Sequence, residues 1–145
     1  MARKKKAPFT LKSPNFRSNG TIGMEHVFNS FGCTGQNVSP ALAWSGAPEG
    51  TKSLALLCHD PDAPTGGAGW WHWLVLNIPA SATQLAKDAG KADGSSLPAG
   101  AAHVNTDFGS PGWGGPCPPV GDKPHRYIFT LYALKVDKLD ASGGT

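Results

Sequence analysis

The 145-residue chain has no long apolar run, little charge and few cysteines. No stretch approaches the roughly 20 apolar residues of a membrane-spanning helix, so no transmembrane segment is expected. The basic run Arg3, Lys4, Lys5 and Lys6 is not followed by an apolar core and lacks the make-up of a secretory signal. Cys33, Cys58 and Cys117 are odd in number and show no Cys-x-x-Cys spacing. That argues against a disulfide framework and makes a reducing cytoplasm the expected location. Charged residues make up 16% of the chain against 39% hydrophobic, which is too apolar and too weakly charged for disorder. The net charge of +3 is concentrated at one end. Four of the thirteen basic residues lie in the run at positions 3–6, leaving nine against ten acidic ones. Neither a basic face nor aromatics along a basic groove is present, so no nucleic acid partner is expected. Residues 1–8 read as a solvated basic tail, capable at most of weak contact with an acidic membrane surface.

What the chain does hold is punctuation: 19 glycines and 13 prolines, a pattern of many short strands and turns. The length suits one domain with one core, taken as residues 9–145. Three segments give the clearest strand signal: residues 53–59 (SLALLCH), 71–78 (WHWLVLNI) and 127–136 (YIFTLYALKV). Such runs fit strands buried on both faces. The first leads into Asp60-Pro61, and proline pushes the residue before it out of the helical region. A short strand is expected at 42–44, an edge strand within 101–108, and a short helix over 81–88 capped by Ser81. Residues 109–121 (GSPGWGGPCPPVG) read as a shaped loop rather than a flexible linker.

The chemistry-bearing residues collect at strand ends. Asp60 and Asp62 sit two apart in Asp60-Pro61-Asp62-Ala63-Pro64, a run stiffened by two prolines. In Trp70-Trp71-His72-Trp73, alternation puts Trp71 and Trp73 on one face and Trp70 and His72 on the other. His125 and Tyr127 share a face at the start of the last strong strand, with Arg126 pointing the opposite way toward a surface or structural ion pair. A carboxylate beside a histidine favours imidazolium, which can donate to an anion such as phosphate. Asp60 and Asp62 would then orient histidines, accept from loop amides or meet an ammonium group. Singly, each residue has a plainer reading: Asp62 as a turn residue, His72 as a structural histidine, Cys117 as a structural cysteine. His26, His59 and His103 have no motif around them.

At these residues the chain resembles the phosphatidylethanolamine-binding protein (PEBP) family, in its bacterial Raf-kinase-inhibitor-like branch. The resemblance runs from about Phe16 to the last strand and rests on Asn37-Val38-Ser39-Pro40, Asp60-Pro61-Asp62-Ala63-Pro64, Trp71-His72, Gly115-Pro116-Cys117-Pro118-Pro119 and His125-Arg126-Tyr127. It implies a mostly β fold: a central antiparallel sheet, a second smaller sheet and few short helices. It also implies an anion pocket at Asp60, Asp62, His72 and His125, rimmed by Pro64, Trp70, Gly115, Cys117 and Tyr127, and neither metal nor other cofactor. Members bind phosphate-like anions and phospholipid head groups, and eukaryotic ones also restrain kinases. The resemblance further implies a C-terminal strand and helix beyond the 127–136 strand, which this sequence does not contain. The expectations there are a natural short form, a truncated piece, or a homodimer covering the gap.

Two classes of function compete with a binding module for an anionic or phosphorylated small molecule. The Asp/His set has the parts of an acid–base hydrolase or of a two-histidine, one-carboxylate metal site. Against them stand the lack of a Gly-x-Ser-x-Gly nucleophile motif and of a His-Glu-x-x-His spacing. A signalling or kinase-inhibitor-like regulator is the other class.

Overall fold

The structure is a computed structural model that describes residues 9–65, 67–118, 121 and 124–139; the expected tail at 1–8 lies outside them. The strands within the described residues are β1 (Thr10–Lys12), β2 (Leu42–Ser45), β3 (Ser53–Asp60), β4 (Trp70–Pro79), β5 (Gln84–Leu85), β6 (Ala102–His103) and β7 (Ile128–Leu134). A 3-10 turn, Met24–His26, precedes β2. All pairings are antiparallel. The smaller sheet has the order β1-β2-β5 and the larger the order β6-β4-β3-β7. The mostly β, two-sheet architecture agrees with the sequence reading.

The apolar runs explain the centre of the larger sheet. On β3, Leu54, Leu56 and Cys58 point into the core and are fully buried, while Ala55 on the other face is also buried. Each such leucine contributes roughly 2–3 kcal/mol by leaving water. β4 supplies Trp73, Val75 and Ile78 to the same core, and Trp113 closes it from the long loop. β7 differs from the expectation of two buried faces. It pairs β3 on one side only, and Ile128 and Tyr132 on its outer face are exposed. It is an edge strand among the described residues, and the exposed Ile128 and Tyr132 show that its outer face is not covered along its whole length.

Two local expectations fail. Residues 81–88 do not form a helix: Trp44 Nε1–H donates to Ala82 O, and Gln84–Leu85 pairs with β2. Tertiary pairing overrides a weak helical signal there. The cysteines are not all free either, because Cys33 and Cys117 form a disulfide across 84 residues and leave Cys58 as a buried thiol. Odd number and irregular spacing carried no information about a bond between two distant loops.

The disulfide fastens the 30–33 turn to the strap of residues 113–118. Three hydrogen bonds act in parallel: Phe28 N–H to Pro116 O (3.0 Å), Gly115 N–H to Asn37 Oδ1 (2.8 Å) and Trp113 Nε1–H to His26 O (3.1 Å). Gly115 is needed at its position, since a Cβ there would collide with His26 O and the Phe28 backbone nitrogen. Closing a loop of this length restricts the unfolded chain by up to about 4–5 kcal/mol in the chain-entropy picture. Replacing Cys33 with serine should therefore lower the denaturant-unfolding free energy by several kcal/mol. An unchanged midpoint would show that the bond contributes nothing to stability.

Candidate ligand-binding site

The site forms where β3 ends, β4 begins and the chain enters β7. Asp60, the last residue of β3, is almost wholly buried. Its Oδ1 accepts the Asp62 N–H at 2.8 Å, and its Oδ2 receives His125 Nδ1 at 2.7 Å. Both side chains of the Asp60–His125 pair are about 95% or more buried, where an unpartnered carboxylate would be severely destabilising. Asp62 makes a second bridge between the same loops. Its carboxylate accepts from Arg126 N–H (2.7 Å), Nε (3.1 Å) and Nη2 (3.0 Å). Hydrogen bonds from the Arg126 side chain and backbone hold the Asp62 carboxyl at about 2. The ion-pair role expected of Arg126 is met, and Asp62 is a loop clamp.

His72 is placed by a β-bulge. Cys58 pairs with Trp73 and His59 with Trp71, so His72 is an extra residue on β4. Strict alternation fails here. Trp73 turns to the His72 side, and both rings lie against Trp113, at 5.7 and 6.4 Å. Trp71 instead packs on His59 at 4.1 Å. Bulges commonly re-aim side chains beside functional sites. His72 Nδ1 lies 2.6 Å from Gly114 O, and Gly114 N–H returns a bond to His72 O at 2.9 Å. Donation to a carbonyl fixes the proton on Nδ1 and leaves the lone pair on Nε2. Burial outweighs the nearby carboxylates and lowers the His72 pKa. That corrects the expected imidazolium: His72 is neutral at pH 7.

Tyr127 completes the cluster, edge-on to His72 at 5.2 Å and 6.5 Å from the His125 ring. Its hydroxyl is buried without a hydrogen-bond partner among the described residues. Burial first, then the Asp60 charge, pushes its pKa upward, so the phenol keeps its proton. Cys58 is likewise raised by burial and by Asp60, which leaves a thiol rather than a nucleophilic thiolate beneath the site.

The rim is largely aromatic. Phe108 stands 5.5 Å from His72, with Trp70 edge-on to it at 5.4 Å and Phe28 at 4.6 Å. Phe31 extends the stack to the surface. Trp70 thus shares the His72 side, as alternation implied. Pro64 is exposed in the loop after Asp62. The Gly115 amide is engaged by Asn37, and Cys117 is in the disulfide. Phe108, Trp113 and Asn37 were not singled out as site residues, although Trp113 punctuates the glycine-rich loop. Among the other histidines, Nδ1 of His26 meets Val38 O, Nε2 of His59 meets Ala68 O, and Nε2 of His103 accepts from Trp73. Two cavities of about 320 and 380 Å³ adjoin the cluster through Phe108 and Trp70, but Asp60, His72 and His125 line neither. Among the described residues, no three His, Cys, Asp or Glu side chains are grouped to hold a metal ion, and no helix is long and apolar enough to cross a membrane.

The family model for phosphatidylethanolamine-binding protein matches residues 12–145. The UPF0098 protein YbcL of Escherichia coli is 54% identical over 133 residues, covering 92% of this chain and 72% of YbcL. E. coli YbhB is 45% identical over 134 residues, covering 92% of this chain and 83% of YbhB. The crystal structure of E. coli YbcL, described as a new member of the mammalian PEBP family, superposes with a TM-score of 0.92 at 52% identity, covering 96% of this chain and 84% of that one. The chain belongs to the phosphatidylethanolamine-binding protein family.

Two titrations test the geometry. By NMR, the Asp62 carboxyl should titrate near pH 2 and move back toward ordinary carboxylate values in Arg126→Gln. A depressed folded-state pKa means that its contribution to stability is complete above about pH 4 and is lost as pH falls toward 2. A carboxyl that titrates normally in the parent chain would rule out the clamp. For His72, nitrogen chemical shifts should report a neutral ring protonated on Nδ1, charging only below pH 6.5. Its contribution, present above the unfolded pKa, diminishes as pH drops below it. Protonation at higher pH than a free histidine would contradict the assignment.

Proposed function

We propose that this chain binds a small phosphorylated or otherwise anionic molecule, such as phosphate or a phosphoethanolamine-type head group, between His72, His125 and Tyr127. The observation that carries the reading is the buried, unpartnered Tyr127 hydroxyl beside His72, next to the buried Asp60–His125 pair. An unsatisfied buried hydroxyl costs about 1–3 kcal/mol, which a ligand oxygen would relieve. Asp60 and Asp62 would repel an anion if they stood alone. Here Asp62 is neutralised by Arg126, and Asp60 is engaged by His125 and the Asp62 amide. They organise the loops rather than contact the ligand.

The protonation states choose the ligand form. His72, with its lone pair on Nε2, accepts a hydrogen bond, whereas Tyr127 can donate one. A phosphate dianion offers acceptors only. A monoanion also has a P–OH, which would donate to His72 Nε2 while Tyr127 donates to another phosphate oxygen. Binding therefore selects the monoanion or takes up a proton, and it weakens as pH rises through the ligand's second pKa, about 6 for a phosphate monoester and roughly one unit higher for inorganic phosphate. A kinase-inhibitor or signalling role forms no part of the proposal.

The expected cytoplasmic location rested on unpaired cysteines. With Cys33 joined to Cys117, a compartment that sustains disulfides is the better fit.

Isothermal titration of inorganic phosphate and phosphoethanolamine, in two buffers of different ionisation heat, tests the site. Net proton uptake is expected near pH 7, with affinity falling about tenfold or more in His125→Ala and severalfold in Tyr127→Phe. Equal affinity in both variants and the parent would remove the cluster as the binding site.

A further inference from the structure

We propose that a second ligand site lies beyond the Phe108 wall, in the cavity of about 320 Å³ bordered by Phe28, Asp88, Lys91, Thr106, Phe108 and Ser110, and that it takes a small zwitterion with an apolar side group. Its size is at the lower end of small-molecule pockets, which suits a ligand the size of an amino acid.

The charges supply the recognition. Lys91 Nζ and Asp88 Oδ2 stand 3.8 Å apart, and both side chains are about half exposed. A surface pair so long and so wet contributes little to stability, and either partner is readily exchanged for a ligand group. A ligand carboxylate fits Lys91 and a ligand ammonium fits Asp88. Phe28 and Phe108, with centroids 4.6 Å apart, offer an apolar wall for the side group.

The rim is also fixed in advance. Asp88 has φ of +66°, and its N–H donates to Ser39 O at 2.9 Å. Gly90 N–H donates to the buried Ser39 Oγ at 2.8 Å, and Gly90 O accepts from Trp113 N–H at 2.8 Å. Asn37, another left-handed residue on the lining, holds Trp113 O and the Gly115 amide through its side chain. Preorganisation of this kind lowers the ordering cost of binding. Asp60, His125 and Tyr127 make none of these contacts and do not line the cavity, although Phe108 stands between it and His72.

Ligand-observed NMR with L-phenylalanine, phenylacetate and phenethylamine on the full chain tests it. L-Phenylalanine should bind with a dissociation constant on the order of 1 mM, as ligand efficiency implies for so small a molecule. Phenylacetate lacks the ammonium and phenethylamine lacks the carboxylate, and each should bind severalfold more weakly. Lys91→Gln and Asp88→Asn, the latter compatible with a left-handed backbone, should each weaken phenylalanine severalfold. Saturating phosphoethanolamine should not displace it. The proposal is overturned if phenylalanine shows no saturable binding up to about ten times that concentration. It is also overturned if all three compounds bind equally, if both variants bind like the parent, or if phosphoethanolamine competes.

Discussion

The hydrogen bond between Asp60 and His125 joins the end of β3 to the loop that enters β7, 65 residues away in sequence, and the geometry of the cluster depends on it. β3 and β7 are paired over seven residues, from Ser53 with Leu134 to His59 with Ile128. Register alone brings their ends together, but it does not orient the loops beyond. Asp60 orients the His125 ring, and Asp62 receives the next residue, Arg126, through backbone and guanidinium. Two adjacent bridges thus lock one loop against the other. The inner one is buried and tied to site chemistry. The outer one is exposed and serves as a clamp.

The third edge of the cluster is built by different means. An extra residue on β4 aims His72 inward beside Trp73, and the strap of residues 113–118 grips it through reciprocal bonds with Gly114. The strap is itself anchored by Trp113, Asn37 and the Cys33–Cys117 bond. The effect is electrostatic as well as steric. Burial keeps His72 neutral, so the cluster combines an acceptor nitrogen with a donor phenol instead of presenting a uniformly cationic hollow.

The parts of this arrangement that were legible in sequence are those written in local pattern. The apolar runs of β3 and β4 are long enough to mark strands, and Asp60 at the end of β3, His72 near the start of β4 and His125 in the loop before β7 lie where loops converge. The His125 and Tyr127 rings do approach one another, at 6.5 Å, although both precede β7 and strand alternation is not what brings them together. What sequence could not supply came from register and distance. The bulge at His72 exists only because β3 and β4 pair as they do, so the side on which Trp73 lies was not readable from alternation. Residues 81–88 carry a capping serine and few branched side chains, yet the edge of β2 captures Gln84–Leu85 as a strand. The sign of the His72 shift depends on how deeply the ring is buried, which no spacing encodes. The partner of Cys117 lies 84 residues away.

The chain belongs to the phosphatidylethanolamine-binding protein family and has the two-sheet fold, and the chemistry proposed above rests on His72, His125 and Tyr127 facing one ligand. Amide and side-chain NMR shifts recorded during a phosphoethanolamine titration test that most directly. The account predicts that the largest changes cluster on His72, Gly114, His125 and Tyr127 and saturate with a single dissociation constant. Changes that are confined to other regions, or that leave those four residues unmoved, would contradict it.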